Sequence, residues 1–311
     1  MNKPTLWVLV GLSGSGKSTV ATQIANENPN TVIVSSDIIR EELTGNYEDQ
    51  EHNEEVFKIF HNRIRKNLEN KKNVIADATN LTMKSRRAIL LKVNGLDIRK
   101  VCVIIPKPFE QCKEDNLHRK HPVPEEVLDK QIKRFQIPFC NEGFNEIIVC
   151  SYKNKWDKYK LFCSEIFLSM FDFDQKNPHH TMTLDEHCMN AYRLFYKKYP
   201  SKGFLPQNYI NSFAMGAMLH DIGKIMTQTF DENGVAHYYN HAEIGSYFIF
   251  TQLRPPIFWT NNFLLDCCFL INYHMMPFNW DTDKAKQRWK ERFGEYKYKL
   301  LLDFNECDKS R

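Results

Sequence analysis

The sequence predicts an α/β domain, a parallel sheet with helices on both faces, followed by an all-α domain. Three observations carry that prediction. Short β-branched runs alternate with helical stretches over roughly the first half of the chain, a glycine-rich turn joins the first run to the first helix, and beyond Tyr152 the strand signal fades while histidines accumulate. A length of 311 residues is about twice that of a common domain and agrees with two. The expected division is a first domain over 1–152, a linker helix over 153–170 and a second domain over 171–311.

The strand candidates are Leu6–Val10, Thr31–Ser35, Asn73–Ala76, Arg99–Ile105 and Glu146–Val149. Each is short, apolar and nearly continuous, as strands buried on both faces are. Between them Ser18–Asn26, Glu51–Glu69, Met83–Val93, Pro108–Asn116 and Pro124–Phe135 read as helices, and strand–helix alternation of this kind gives a doubly wound sheet. Trp156–Met170 is amphipathic and helical, and Phe171–His180 reads as a polar loop. Helices rich in Leu, Phe, Met and Tyr follow, with loops around Pro200–Pro206, Asp231–Val235 and Asn279–Thr282.

Composition excludes several classes. Hydrophobic residues at 42% and charged residues at 26% rule out a mostly disordered chain. The net charge of +4 is too small to announce a nucleic-acid binder by itself. Its distribution is uneven: 24 basic and 20 acidic side chains lie up to Lys155, and 18 of each follow, so the surplus lies in the first half of the chain. Nine cysteines, an odd number without a C-x-x-C pair, argue for reduced thiols in a cytoplasmic protein. The best membrane candidate, Phe263–Ile271, is too short and is interrupted by Asp266. Leu6–Leu12 lacks the basic flank of a signal peptide and runs into glycines, so no membrane partner is expected.

Those glycines belong to Gly11-Leu-Ser-Gly-Ser-Gly-Lys-Ser-Thr19, which fits G-x-x-x-x-G-K-[ST] between a strand and a helix. In such a loop the backbone N–H groups of Gly11, Ser13, Gly14, Ser15 and Gly16 turn inward around a phosphate, Lys17 reaches the β/γ oxygens, and Ser18 ligates Mg²⁺, with Thr19 beside it. ATP or another nucleoside triphosphate is the expected ligand. The acceptor must lie at the carboxyl ends of the other strands. Asp37 follows the second strand and Asp77 ends the third. A carboxylate at Asp37 suits a general base, and its position equally suits a helix N-cap; Arg40, one turn on, suits an anionic acceptor.

The phosphate loop, Ser36-Asp-Ile-Ile-Arg40, Asp77-Ala-Thr-Asn80 with Arg86–Arg87 following, and His118-Arg-Lys-His-Pro-Val-Pro124 before a helix resemble the kinase domain of polynucleotide 5′-hydroxyl kinases over about residues 1–150. The resemblance implies that Asp37 is the general base, that Arg40 contacts the acceptor phosphate, that Asp77 and Asn80 lie near the acceptor, and that Arg119 is a lid arginine over the ATP phosphates. Asp115 stands where the family often carries a first lid arginine. Small-molecule kinases share the first motif, so the donor is better specified than the acceptor.

The second half holds seven of the 11 histidines. Leu219-His-Asp-Ile-Gly-Lys224 places imidazole and carboxylate side by side at the end of an apolar helix, a donor set suited to a divalent transition metal. His187, His241, His274 and Asp308 are further candidates; His187 and His220 are 33 residues apart, as are His241 and His274, and Asp308 lies 34 beyond His274. Asp303 competes for the final carboxylate, and His241 and His274 also suit phosphate donation. This H…HD…H…H…D order resembles the HD-domain metal-dependent phosphohydrolases from about Phe171 onward. The resemblance implies a first metal held by His187, His220, Asp221 and Asp308. Asp221 then bridges to a second ion on His241 and His274, with Mn²⁺, Ni²⁺ or Co²⁺ as candidate ions, and Lys224 binds substrate phosphate.

The two chemistries together predict a nucleic-acid end-healing enzyme. ATP phosphorylates a 5′-hydroxyl and a metal centre removes a 3′-phosphate or 2′,3′-cyclic phosphate, with RNA favoured over DNA and a separate ligase as the partner that seals the ends. A second reading joins a nucleoside kinase to an HD nucleotidase; a third makes the first half a regulatory ATPase. Phe278, Trp280, Trp289, Phe293, Tyr296 and Tyr298 are expected in the core, with base stacking as the alternative for one or two.

Overall fold

A computed structural model describes residues 3–47, 49, 51–150, 160–178, 181–199, 207–253 and 260–309, with backbone alone for 207–211. The expected helix over 153–159, the loop around 200–206 and His179–His180 lie outside the described residues. The chain forms two compact units, one of Met1–Ile132 with Glu142–Tyr152 and one of Lys133–Asn141 with Lys153–Arg311.

In the first unit the elements run β1 (Thr5–Val10), α1 (Lys17–Glu27), β2 (Thr31–Ser35), α2 (Ser36–Thr44), α3 (Asn53–Glu69), β3 (Asn73–Asp77), α4 (Met83–Lys92), β4 (Arg99–Ile104), α5 (Phe109–Leu117), α6 (Glu125–Ile132) and β5 (Glu146–Val149). The sheet is parallel throughout, in the order β2-β3-β1-β4-β5. Central β1 sets the register: Val8 stands opposite Ala76 on β3 and Cys102 on β4. Both sheet faces are covered. On one, Val20 and Ala21 of α1 pack on Leu9, Ile75, Val101 and Val103. Helix α3, which packs against β2 and β3, buries Val56, Phe60, Ile64 and Leu68 at i, i+4 spacing and leaves its charged side to solvent. The parallel arrangement brings the ends of β1, β2, β3 and β4 to one edge, where the phosphate loop, Asp37 and Asp77 lie.

A buried ion pair braces that edge. Arg86 of α4 donates to both carboxylate oxygens of Glu142, at 2.7 and 2.6 Å, and to the carbonyls of Asn80 and Leu81 at 3.1 Å. The loop after β3 is thereby fixed from behind.

The second unit is helical: α7 (Cys163–Leu168), α8 (Leu184–Lys198), α9 (Gln207–Leu219), α10 (Lys224–Thr227), α11 (His241–Gln252), α12 (Asn261–Tyr273) and α13 (Asp283–Asp308), the last broken at Gly294. Helix α12 packs on α9 and α11, α9 on α8, and α8 on α13. Three details depart from the sequence expectation. The helix expected to run to residue 170 is helical, among the described residues, only over Cys163–Leu168, and Leu161 pairs with Leu253 in an isolated β-bridge. The segment read as the Asp231–Val235 loop is the turn of a small antiparallel hairpin, β6 (Thr229–Phe230) with β7 (Ala236–His237). Lys133–Asn141, assigned by sequence to the first domain, belongs to the helical unit. Its aromatic side chains explain this: Phe135 meets Tyr247 edge-on at 4.9 Å, and Phe139 packs on Phe269 and Phe293, both at 5.3 Å. Its backbone is satisfied there too, with Ile137 N–H donating to Asn272 Oδ1 at 2.9 Å, Asn272 Nδ2 to the Phe135 carbonyl at 3.1 Å and Tyr273 Oη to the Ile137 carbonyl at 3.0 Å. Among the expected core aromatics, Trp280 is buried against Tyr298 at 4.8 Å, whereas Phe278 is 40% exposed. All nine cysteines are free thiols, and no described helix is long and apolar enough to cross a membrane.

Candidate phosphate-loop and metal sites

The phosphate loop follows β1 and delivers α1 from Gly16, whose φ of 91° is left-handed. Gly14 is fixed by sterics as well as by its φ of +76°: a Cβ there would lie 2.2 Å from the Cys112 carbonyl oxygen of α5. Gly11 N–H donates to the Thr79 carbonyl, tying the loop to the strand-3 edge. Lys17 Nζ donates to the Leu12 carbonyl at 2.8 Å. Burial draws the Lys17 ammonium below its ordinary value, against the opposing pull of Asp77 and Asp37.

Three of the loop N–H groups expected to face a phosphate have protein partners, those of Gly11, Ser13 and Ser15, the last donating to the Leu12 carbonyl at 3.1 Å. Ser13 gives both its polar groups to Gln131 of α6: its N–H donates to Oε1 at 2.8 Å and its hydroxyl accepts from Nε2 at 2.9 Å. Ser15 is fully buried, with an unpartnered hydroxyl beneath the loop. Lys107 was not singled out by sequence. It is buried, donates to the Gly14 carbonyl at 3.0 Å and pairs with Asp115. Gln131 and Lys107 carry no motif, and only the folded loop reveals them.

Around the acceptor edge the side chains sort themselves differently from the resemblance. Asp77, expected near the acceptor, accepts from Ser18 Oγ at 3.0 Å, on the side where Ser18 would hold Mg²⁺. Its carboxyl is pushed up by burial, with Lys17 pulling against it. Asn80 does not face an acceptor at all: it is buried, and its amide donates to the carbonyls of Leu9, Ala78 and Ala76 at 2.8, 3.3 and 3.5 Å. Asp37 is no helix cap, since Ser35 holds the N-cap position of α2 and Asp37 lies within the first turn. Half-exposed, it faces Arg40 at 3.3 Å and Arg119 at 3.5 Å. Arg40 is buried and also donates to Asn53 Oδ1 at 2.9 Å, so its guanidinium orients Asp37 in addition to any acceptor contact. Lys17, Asp37, Asp77 and Arg119 therefore form one mutually interacting set of charges. The donor set fits a triphosphate with Mg²⁺: Ser18 and Asp77 would hold the ion, and Lys17 and Arg119 the phosphates.

In the helical unit the histidines and carboxylates converge. His187 lies in the first turn of α8, His220 and Asp221 just past the end of α9, His241 at the first residue of α11, His274 directly after α12, and Asp308 at the last residue of α13. Placement at helix ends is what lets adjacent His220 and Asp221 both turn inward. Asp221 Oδ2 lies 3.3 Å from His220 Nε2 and 3.5 Å from His187 Nε2, and its Oδ1 lies 3.1 Å from His241 Nε2 and 3.4 Å from His274 Nε2. Asp308 Oδ1 is 3.0 Å from His187 Nε2 and 3.1 Å from His220 Nε2. Asp303, the competing carboxylate, pairs instead with Lys198 and Tyr199. Gly223 permits the approach of α11, because a Cβ there would lie 1.9 Å from the His241 carbonyl oxygen.

Three imidazoles are oriented identically. Nδ1 of His220, His241 and His274 donates to the carbonyls of Ala217, Tyr238 and Ile271 at 2.9, 2.8 and 2.8 Å. A carbonyl only accepts, so Nδ1 carries a proton and Nε2 is the ring atom turned into the cluster, the one a cation would use. These Nε2 atoms face carboxylate oxygens, and His241 Nε2 faces His274 Nε2 at 3.3 Å. His220 Nε2 is buried and, although near two carboxylates, makes no hydrogen bond. Such an arrangement is satisfied by cations. Two ligand groups result, His187–His220–Asp221 and Asp221–His241–His274, sharing Asp221. Against the cost of burial, His220 and Lys224 hold the Asp221 carboxyl well below the usual range.

This cluster forms the floor of a cleft of about 460 Å³, also lined by Lys224, Tyr238, Met275, Phe278 and Lys309. Lys224 Nζ is 2.7 Å from both Asp221 Oδ2 and Gln175 Oε1, so it stands partnered on the floor. Gln175, in the stretch that reads from sequence as a polar loop, is buried and supports Lys224.

Residues 6–138 match the family model described as an AAA domain. L-seryl-tRNA(Sec) kinase of Methanococcus maripaludis is 30% identical over 138 residues, 43% of this chain and 53% of that protein. The chain thus spans about half the length of this curated relative. Among solved structures, a chain of the Pnkp1/Rnl/Hen1 RNA repair complex is 25% identical with a TM-score of 0.39, covering 43% of this chain and 44% of that one. A gluconokinase from Sinorhizobium meliloti 1021 is 19% identical with a TM-score of 0.36, covering 51% and 88%. The first unit is a P-loop nucleotide-binding domain related to kinases.

Proposed function

We propose that the protein is a bifunctional nucleic-acid end-healing enzyme, a 5′-hydroxyl kinase in its first unit and an HD-type phosphohydrolase in its second. The observation that supports the reading is the presence of two separate side-chain constellations in one chain: a phosphate loop faced by the Asp37–Arg119 pair, and a shared-carboxylate group of possible metal ligands centred on Asp221. A break bearing a 5′-hydroxyl and a 3′-phosphate-type end needs both before it can be joined.

In the kinase step the acceptor oxygen attacks the γ-phosphorus of ATP, Asp37 takes its proton and ADP leaves. Lys17 and Arg119 neutralise the oxygens of the transferring group. Arg40, anchored by Asn53, keeps Asp37 aimed. Bound Mg²⁺ would add charge neutralisation at the β/γ oxygens.

In the hydrolase step His187, His220, Asp221, His241, His274 and Asp308 would hold divalent ions such as Mn²⁺, Ni²⁺ or Co²⁺. Such ions supply a nucleophilic water at neutral pH and Lewis-acid polarisation of the phosphoryl group. Lys224 holds positive charge at the cleft floor for the substrate phosphate. Water adds to phosphorus and the sugar oxygen leaves.

RNA is favoured because the curated relative is a kinase named for a tRNA-borne group. That relative also supports a second acceptor, a hydroxyl carried on RNA other than the 5′ end. The test is an RNA oligonucleotide with a 5′-hydroxyl and a 2′,3′-cyclic phosphate, supplied with ATP and Mn²⁺. Lys17→Ala should abolish 5′ labelling alone, and Asp221→Ala should abolish 3′ release alone. Unchanged ends with the wild-type protein would overturn the proposal.

A further inference from the structure

The cleft over the metal cluster has two unlike walls. Its floor carries the charged residues Asp221, Asp308 and Lys224; its rim carries Met275, Phe278 and Lys309. Met275 and Phe278 are 41% and 40% exposed, although the neighbouring Trp280 is buried. The one-turn helix Met276–Asn279 therefore turns one ring into the core and leaves another facing the cleft. Lys309 Nζ stands 4.7 Å from the Phe278 ring centroid. Lys309 directly follows Asp308 at the end of α13, so its ammonium is tied by the backbone to the ligand cluster. An apolar planar surface and a second cation thus stand beside the charged floor, the combination that a nucleotide with more than one phosphate requires.

We infer that this rim is a recognition subsite for the end of a nucleic-acid strand: the terminal base stacks on Phe278, and Lys309 takes the phosphate joining that nucleotide to the next. The inference rests on the phosphohydrolase reading and deepens it, because a free mononucleotide monoester has no second phosphate for Lys309.

The test compares three substrates on the full-length protein with Mn²⁺: glycerol 2-phosphate, a nucleoside 3′-phosphate and a dinucleotide 3′-phosphate. Phe278→Ala should lower the kcat/KM ratio of the nucleoside phosphate to glycerol phosphate by at least about fivefold, the lower end for loss of one base stack, and Phe278→Trp should restore it. Lys309→Ala should lower the ratio of dinucleotide to mononucleotide while leaving that of mononucleotide to glycerol phosphate in place. Calorimetric titration of the EDTA-treated protein with the dinucleotide 3′-phosphate should show the same ordering in Kd. Equal ratios in wild type and variants, with equal Kd values, would overturn the subsite. If the wild type hydrolyses none of the three, the phosphohydrolase reading fails. The calorimetric ordering then decides the rim by itself.

Discussion

Replacing Asp221 by asparagine keeps the side-chain volume and removes one negative charge from the centre of the cluster. Its two oxygens lie 3.1–3.5 Å from four imidazole Nε2 atoms, and Lys224 Nζ sits 2.7 Å away with only 6% of its side chain exposed. Without ions the substitution strands that buried ammonium, and breaking such a pair costs about 3–5 kcal/mol. With ions the loss is larger, since Asp221 is common to both ligand groups. Mn²⁺ at about 100 times its Kd should stabilise the wild-type fold by about 2.7 kcal/mol. For a unit of this size about 1 kcal/mol moves the midpoint by roughly 2–4 °C, so Mn²⁺ should raise the wild-type transition by about 5–10 °C. In Asp221→Asn that rise should vanish, and its transition in EDTA should fall below that of the wild type. The assay is thermal unfolding by near-UV circular dichroism with Mn²⁺ and with EDTA, accompanied by metal analysis. A variant that keeps two ions per chain and the full rise would refute the bridging role, and a wild type indifferent to Mn²⁺ would refute the metal site itself.

Gln131→Leu removes both hydrogen bonds to Ser13, each with a net contribution of about 1 kcal/mol, and should raise the KM for ATP about tenfold; initial rates across ATP concentrations check this, and an unchanged KM would sink the idea that α6 shapes the loop. Glu142→Gln leaves Arg86 buried with half its partnership and should cost about 3–5 kcal/mol in urea unfolding, whereas Arg86→Met with Glu142→Leu should cost less than the two single changes together. Additive losses would mean that the two side chains do not act as a pair.

The first unit was legible nearly throughout, because β-branched runs buried on both faces have no other use and each recurs where the sheet places it. What sequence missed there was sorted by neighbours distant in the chain. Asn80 looked like a site residue from its motif, yet its amide holds three backbone carbonyls. The detour of Lys133–Asn141 escaped notice because it extends what reads as one helix; only the aromatic partners Tyr247, Phe269 and Phe293 decide where it goes. The hairpin at 229–237 is too short for a period-2 pattern to register.

The two candidate sites differ in legibility for a reason rooted in the charges they would bind. An anion is held by backbone N–H groups, which must be contiguous, so a phosphate loop appears as one unbroken motif. A cation needs side-chain lone pairs from several directions, and here the candidate donors come from the ends of five helices: α8, α9, α11, α12 and α13. Helical periodicity says nothing about residues at such ends, so His187, His241, His274 and Asp308 could be proposed only by order and type. The rim is the extreme case. Phe278 and Lys309 have no spacing rule relating them, and they acquire meaning only because the end of α13 brings the ammonium to 4.7 Å from the ring centroid. Contiguous anion sites, dispersed cation sites and single-residue contacts of the kind proposed for the rim thus form an order of decreasing visibility.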